Sequence, residues 1–213
     1  MAGIWYLASR KVKKTLRASQ APLLALGAAL SFVIMMFNVP IAGGTTGHAT
    51  GTALLAITLG PWAAVIAVSI AIAVQAVLFG DGGITTLGAN CFNMAFTDAM
   101  VSYAVYRLIA GAGGGPGENK NKAKKTVWSS ALAAYAGINA SALLAAVELG
   151  IQPLLHRAAD GMPLYCPFPL RVTIPAMMLG HLAFFGPVEA VFTALAVAYL
   201  GRAYPDLLRP AKK

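Results

Sequence analysis

The sequence is short of charge, and of acidic residues above all. Only 11% of its 213 residues are charged, with 7 Asp and Glu against 16 Lys and Arg, whereas a soluble globular domain spends about a quarter of its residues on charge. A water-facing surface cannot be built from so few, which excludes an ordinary soluble fold. Cysteine is scarce as well: Cys91 and Cys166 stand far apart in unlike surroundings, and that spacing fits neither a zinc finger nor a redox motif. The apolar runs lack the apolar/polar alternation of membrane barrel strands. No secretory signal precedes Arg10, because the apolar stretch there is short and has no small-residue cleavage site. A phosphate-binding Gly-x-x-x-x-Gly-Lys-Ser/Thr run is also missing, since Gly113-Gly114-Gly115-Pro116-Gly117 continues as Glu118-Asn119.

What the chain does have is hydrophobicity: 58% of its residues are apolar, and the mean hydropathy is +0.70. Lipid cannot hydrogen-bond a bare backbone, so such runs are read as helices. We expect an all-α integral membrane protein, a polytopic helical bundle formed as a single transmembrane domain over 1–213. Six full transmembrane helices at roughly 20–37, 48–60, 61–80, 90–112, 126–149 and 171–203 follow an N-terminal stub at roughly 3–9. The net charge of +9 is explained by topology rather than by nucleic acid. Of the basic residues, only Arg157 and Arg171 fall outside three clusters, Arg10–Arg17, Arg107–Lys125 and Arg202–Lys213. Six crossings put all three clusters on one side, which the positive-inside rule makes the cytoplasm. A multi-pass protein of the cytoplasmic membrane with a cytoplasmic C-terminus follows.

Two runs have awkward lengths. The one at 171–203 would be about 50 Å long as a single helix, against ~30 Å of hydrocarbon, so it must tilt, project or break at Gly186-Pro187. The run at 48–60 gives only ~20 Å. The residues before it, Asn38 to Gly47, contain Pro40 and three glycines. We expect irregular backbone there, dipping into the outer half of the protein with His48 opening the short helix at its bottom, as transporters place binding groups near mid-membrane.

Ionisable groups inside a membrane are costly and therefore candidates for function. Asp98, Glu148 and Glu189 fall within or at the ends of crossings. Asp98 reads either as a structural acid near Arg107 or as a proton or ion carrier, and Glu148 as an interfacial acid at a helix end. Asn139 and the small residues Ala134, Gly137, Ala140 and Ser141 suit close helix packing. His156 reads as a solvated loop residue and His181 as a hydrogen-bonded core histidine, while His48 sits in irregular, small-residue backbone where a ligand is equally plausible. One imidazole by itself makes a weak metal site.

The run Gly47-His48-Ala49-Thr50-Gly51 leads through Leu59-Gly60-Pro61-Trp62-Ala63-Ala64 to Gln75, then to Phe79-Gly80-Asp81-Gly82-Gly83 and Gly88-Ala89-Asn90-Cys91-Phe92-Asn93-Met94-Ala95. This order resembles the CbiM/NikM family, the substrate-binding membrane subunits of cobalt and nickel importers of the energy-coupling-factor type. A weaker echo is Gly180-His181 with Gly186-Pro187-Val188-Glu189. The resemblance implies that His48 is the metal ligand contributed by the body of the protein. It implies further ligands from an N-terminal Met-His-Ile-Pro segment supplying the amine, an amide nitrogen and a second imidazole. This chain begins Met1-Ala2-Gly3-Ile4-Trp5, so on the resemblance it reads as truncated and metal-free. An all-nitrogen, four-coordinate set suits Ni(II) or Cu(II) better than an oxygen-preferring cation, and Ni(II) or Co(II) would be the transported substrate. Asn90 and Asn93, three apart on one helical face, together with Gln75 and Asp81, are the expected pocket residues that orient ligands; His181 and Glu189 are weaker candidates.

The resemblance also implies partners: a coupling membrane subunit, two cytoplasmic ATPase subunits and a small accessory membrane subunit. An ion-coupled secondary transporter using Asp98 or Glu189 is the competing reading, although the internal symmetry it predicts is not visible. An enzyme would need a convergent nucleophile, base or metal set, and the few scattered His, Asp and Glu residues do not nominate one.

Overall fold

The fold was taken from a computed structural model, which describes residues 1–16, 20–41, 45–111 and 120–208. Arg17, Gly43 and Gly44 of the irregular segment, the run Gly113 to Gly117, and Arg209, Lys212 and Lys213 lie outside the described residues, as does the Lys120 side chain. The described chain is mostly helical. It contains α1 (Ala2–Thr15), α2 (Ala21–Met35), β1 (Val39–Ile41), β2 (Thr45–Gly47), α3 (Thr52–Leu59), α4 (Pro61–Phe79), α5 (87–110), α6 (Lys120–Leu155) and α7 (Leu170–Ala203), then a 3₁₀ turn at Pro205–Leu208.

By length and composition α4, α6 and α7 can each cross a membrane, and α2 is a shorter apolar helix. The chain is therefore a helical membrane protein. The helix boundaries follow local chemistry. Proline opens α2 and α4 within the first turn, where its missing N–H would be unpaired in any case. Gly60, with φ +90°, ends α3 and starts α4 without any intervening loop. The expected stub is longer than 3–9: α1 carries Lys13 and Lys14 in its last turn, where cations complement the helix dipole. It buries Ala8 and donates from Trp5 Nε1 to Ser69 Oγ of α4 at 3.0 Å.

The short helix α3 lies in the middle, in contact with α2, α4, α5, α6 and α7, and Thr52 through Ile57 are all buried. Because lipid is as apolar as leucine, close packing rather than a hydrophobic drive holds such helices together. The packing depends on absent side chains. A Cβ at Gly137 of α6 would meet Asp98 and Ser102 of α5, and one at Gly186 of α7 would lie 2.7 Å from Asn139 Nδ2 of α6.

The expected irregular approach to α3 is partly regular. Its two three-residue strands pair antiparallel, Val39 with Gly47, Pro40 with Thr46 and Ile41 with Thr45. The helix then begins at Thr52 rather than at residue 48, so His48 stands on the connecting loop and does not open the helix.

The long run at the C-terminal end does not break at Gly186-Pro187. It stays helical from Leu170 to Ala203 by widening into a π turn at His181–Phe185. There the Gly186 N–H reaches the His181 carbonyl, and the next bond in that pattern would need an N–H from Pro187, which has none. The Leu182 carbonyl left over accepts instead from the Tyr135 hydroxyl of α6, at 3.2 Å. Two further π turns, Gln75–Phe79 in α4 and Cys91–Thr97 in α5, carry Gln75 and Asn93. Such turns are rare in helices and often mark functional positions.

Candidate metal-capture site

The site begins with the hairpin. Gly47, at the end of β2, needs its missing side chain because a Cβ there would run into the Phe185 ring, and Ile41 of β1 packs on Gly180. The hairpin thus rests on the widened turn of α7 that carries His181, and it delivers the chain to His48. His48 is half-buried. Its Nδ1 lies 3.0 Å from the Ala49 carbonyl oxygen, which can only accept, so Nδ1 carries the hydrogen and the neutral ring keeps its lone pair on Nε2. His181 repeats the arrangement. Its Nδ1 lies 2.9 Å from the Met177 carbonyl, its ring centroid is 5.1 Å from that of Phe185, and it is an electrostatic neighbour of His48.

The residues after His48 are pinned from three helices. The Thr50 N–H donates to Glu189 Oε2 at 2.8 Å and the Gly51 N–H to the same oxygen at 3.2 Å. The Thr50 hydroxyl donates to Asp98 Oδ2 at 3.0 Å and accepts from the Thr52 N–H at 3.2 Å. The Thr50 carbonyl accepts from Ser31 Oγ at 2.6 Å. Gly51 turns the chain into α3 with φ +69°, a conformation that glycine adopts without strain. Asp98 and Glu189 are both 0% exposed, and a bare carboxylate so placed would cost on the order of tens of kcal/mol. Oε2 of Glu189 is compensated by amides at the N-terminus of α3, where the helix dipole favours negative charge, while its buried Oε1 has no protein partner among the described residues. Asp98 accepts from Ser102 Oγ as well, at 2.9 Å. The pairing of Asp98 with Arg107 considered from sequence is not formed: Arg107 instead reaches the Tyr103 hydroxyl, at 3.4 Å.

The remaining expected pocket residues divide. Asp81 is half-buried, accepts from Asn38 Nδ2 at 3.0 Å, and is an electrostatic neighbour of His48. Gln75 is buried, and its Nε2 has no protein partner among the described residues. Asn90 and Asn93 bond to different partners, and a π turn begins between them at Cys91. Asn90 Nδ2 braces the glycine turn through the Gly82 carbonyl, at 3.0 Å, and Asn93 Nδ2 donates to Glu148 Oε2 at 2.7 Å. Neither reaches His48, whose ring bonds to Ala49. Glu148 is not at a helix end, since α6 runs on to Leu155. Thr50 and Ser31 were missed from the sequence. The available signal was Thr50-Gly51-Thr52 ahead of an apolar run, a helix-start pattern.

Among the described residues, no three His, Cys, Asp or Glu side chains converge as a metal-binding group. What the bundle offers is a half-buried imidazole on a clamped loop, with a second imidazole and one acid acting on it electrostatically. Fold and site together define a helical membrane protein with a polar centre of the kind found in solute transport. The chain belongs to the family described as the cobalt uptake substrate-specific transmembrane region, which matches residues 1–207. It is 53% identical over 209 residues to a fused nickel transport protein, NikMN, from Rhodobacter capsulatus, a match covering 98% of this chain and 58% of that one. It is 40% identical over 119 residues to the cobalt transport protein CbiM of Acetohalobium arabaticum, covering 51% of this chain and 47% of the relative. A crystal structure of a truncated transition metal transporter superposes with a TM-score of 0.84 at 52% identity, covering 93% of this chain and 88% of that one.

Proposed function

We propose that this chain is the substrate-specific membrane component of an ATP-driven nickel or cobalt importer, and that His48 is the metal ligand supplied by the body of the bundle. The observation that carries this is the placement of His48: half-buried, its Nδ1 tied to Ala49, its Nε2 lone pair available, on a loop fixed between a hairpin and a buried helix. One imidazole falls short of the four donors a transition metal usually takes. By the resemblance noted above, the other three nitrogens would come from a Met-His-Ile-Pro segment. In this reading the chain is one transmembrane domain of six crossings and a short α1, with its basic clusters and C-terminus on the cytoplasmic side. It binds metal and performs no chemistry. Energy comes from two cytoplasmic ATPase subunits through a coupling membrane subunit, joined by a small accessory membrane subunit.

Nickel(II) and cobalt(II) titrations of the chain with and without a grafted Met-His-Ile-Pro leader test this. Tight binding should appear only with the leader and should vanish on His48→Ala. Equal affinity in both forms, or survival of binding in His48→Ala, would refute it. The buried Asp98 and Glu189 favour a second reading, an ion-coupled transporter. That reading requires metal transport into liposomes by this chain without ATPase subunits, which the importer reading forbids.

A further inference from the structure

We infer that Thr50 is a positioning residue for metal capture: Asp98 and Glu189 grip it from α5 and α7, and the grip fixes the loop that aims His48. This rests on the reading of His48 as a ligand and goes beyond it, because it assigns the two buried acids a purpose in that site.

The geometry leaves the loop few freedoms. Upstream, Gly47 is paired with Val39 and seated on the Phe185 ring. Downstream, the N–H, C=O and hydroxyl of Thr50 and the N–H of Gly51 are all bonded, to Glu189, Ser31 and Asp98. Only His48 and Ala49 stand between these fixed points, and the imidazole is tethered to the Ala49 carbonyl. The position of Nε2 therefore follows from where Thr50 is held. The gripping groups lie on three different helices, α2, α5 and α7, so a shift of any one of them reaches His48 through Thr50. No basic side chain is paired with Asp98 or Glu189 among the described residues; their partners are Thr50, Gly51 and Ser102. The acids are spent on the loop and the start of α3 rather than on an ion pair. Groups that orient a metal ligand typically account for about 10- to 100-fold in metal affinity.

The test is a nickel(II) titration of the leader-bearing chain and its Thr50→Val, Thr50→Ser, Ser31→Ala and His48→Ala forms. The nickel d–d absorption band and the melting temperature of the metal-free protein are recorded for each. Thr50→Val should weaken nickel binding tenfold or more and shift the band. Thr50→Ser, which keeps the hydroxyl, should stay within threefold, and Ser31→Ala should fall between the two. A merely structural residue would lower the melting temperature while leaving the band and the affinity of the folded protein unchanged. Affinity within twofold of the parent in folded Thr50→Val overturns the inference; if that variant does not fold, unchanged affinity and band in Ser31→Ala overturn it. Undiminished binding in His48→Ala would instead remove the ligand assignment, and the positioning role with it.

Discussion

The shortest and one of the longest helices of this bundle are held in place by different means. α3 has eight residues, six of them buried, and the amides at its start are bonded by the side chains of Glu189 and Thr50. α7 runs for 34 residues with only 28% of its most apolar stretch buried, turning Leu179, Val188, Val191, Leu195 and Tyr199 outward. A helix long enough to span hydrocarbon is retained by lipid on its open face. A helix of about 12 Å cannot be, so α3 is fixed by carboxylates, hydroxyls and small-residue contacts. The difference teaches that the polar groups of this protein are concentrated where hydrophobic length fails.

The largest effect should come from crowding the packed interior. Leucine at Gly137 would collide with Ser102 and Asp98, including the Asp98 carbonyl oxygen 2.9 Å from the Cβ position, and backbone cannot yield as a flexible side chain can. We expect Gly137→Leu to cost about 3 kcal/mol, read as a collapse of folded yield or of melting temperature in detergent.

A matched truncation sharpens the comparison. Leu55 of α3 is 4% exposed, whereas Leu195 of α7 is 66% exposed. Because a leucine freed from a membrane protein's interior meets lipid rather than water, the cost of Leu55→Ala is mainly lost packing, about 2 kcal/mol. Leu195→Ala should stay within about 0.5 kcal/mol. Equal losses in the two unfolding experiments would mean that the contrast between the helices is false.

An effect smaller than that of Leu55→Ala concerns the carbonyl that Pro187 leaves without a helical partner. Tyr135→Phe removes the hydroxyl bonded to Leu182 and should cost about 1 kcal/mol, with faster amide exchange confined to the turn around His181. Exchange spreading along the whole of α7 would contradict a local defect.

Much of this was legible in the sequence because the solvent is lipid. Apolar runs between charges located most helices to within about four residues, although α1 and α6 extend six residues beyond the expected runs at one or both ends, and the proline and glycines before His48 announced a break in helical backbone. The hairpin was hidden because its strands have three residues each and include Pro40, too little for alternation to register. Membership of the cobalt and nickel uptake family was carried by ordered motifs between Gly47 and Ala95, which local reading handles well. The grip on Thr50 was not legible. It joins residues such as Ser31, Thr50, Asp98 and Glu189 across four separate elements, and a threonine in an apolar stretch gives no sign of which distant acid it will meet. The separate partners of Asn90 and Asn93 were hidden for a related reason, since the three-residue spacing assumes 3.6 residues per turn and the π turn beginning at Cys91 departs from that winding.

The widened turn at His181–Phe185 holds one residue more than an α-helical turn would. Deleting that residue to restore ordinary winding would rotate everything after it by about 100° around the helix axis, carrying Glu189 and Thr193 out of the interior while leaving His181 where it is. The irregularity is therefore a phase adjustment: it lets one uninterrupted rod present both its imidazole and its acid to the same side.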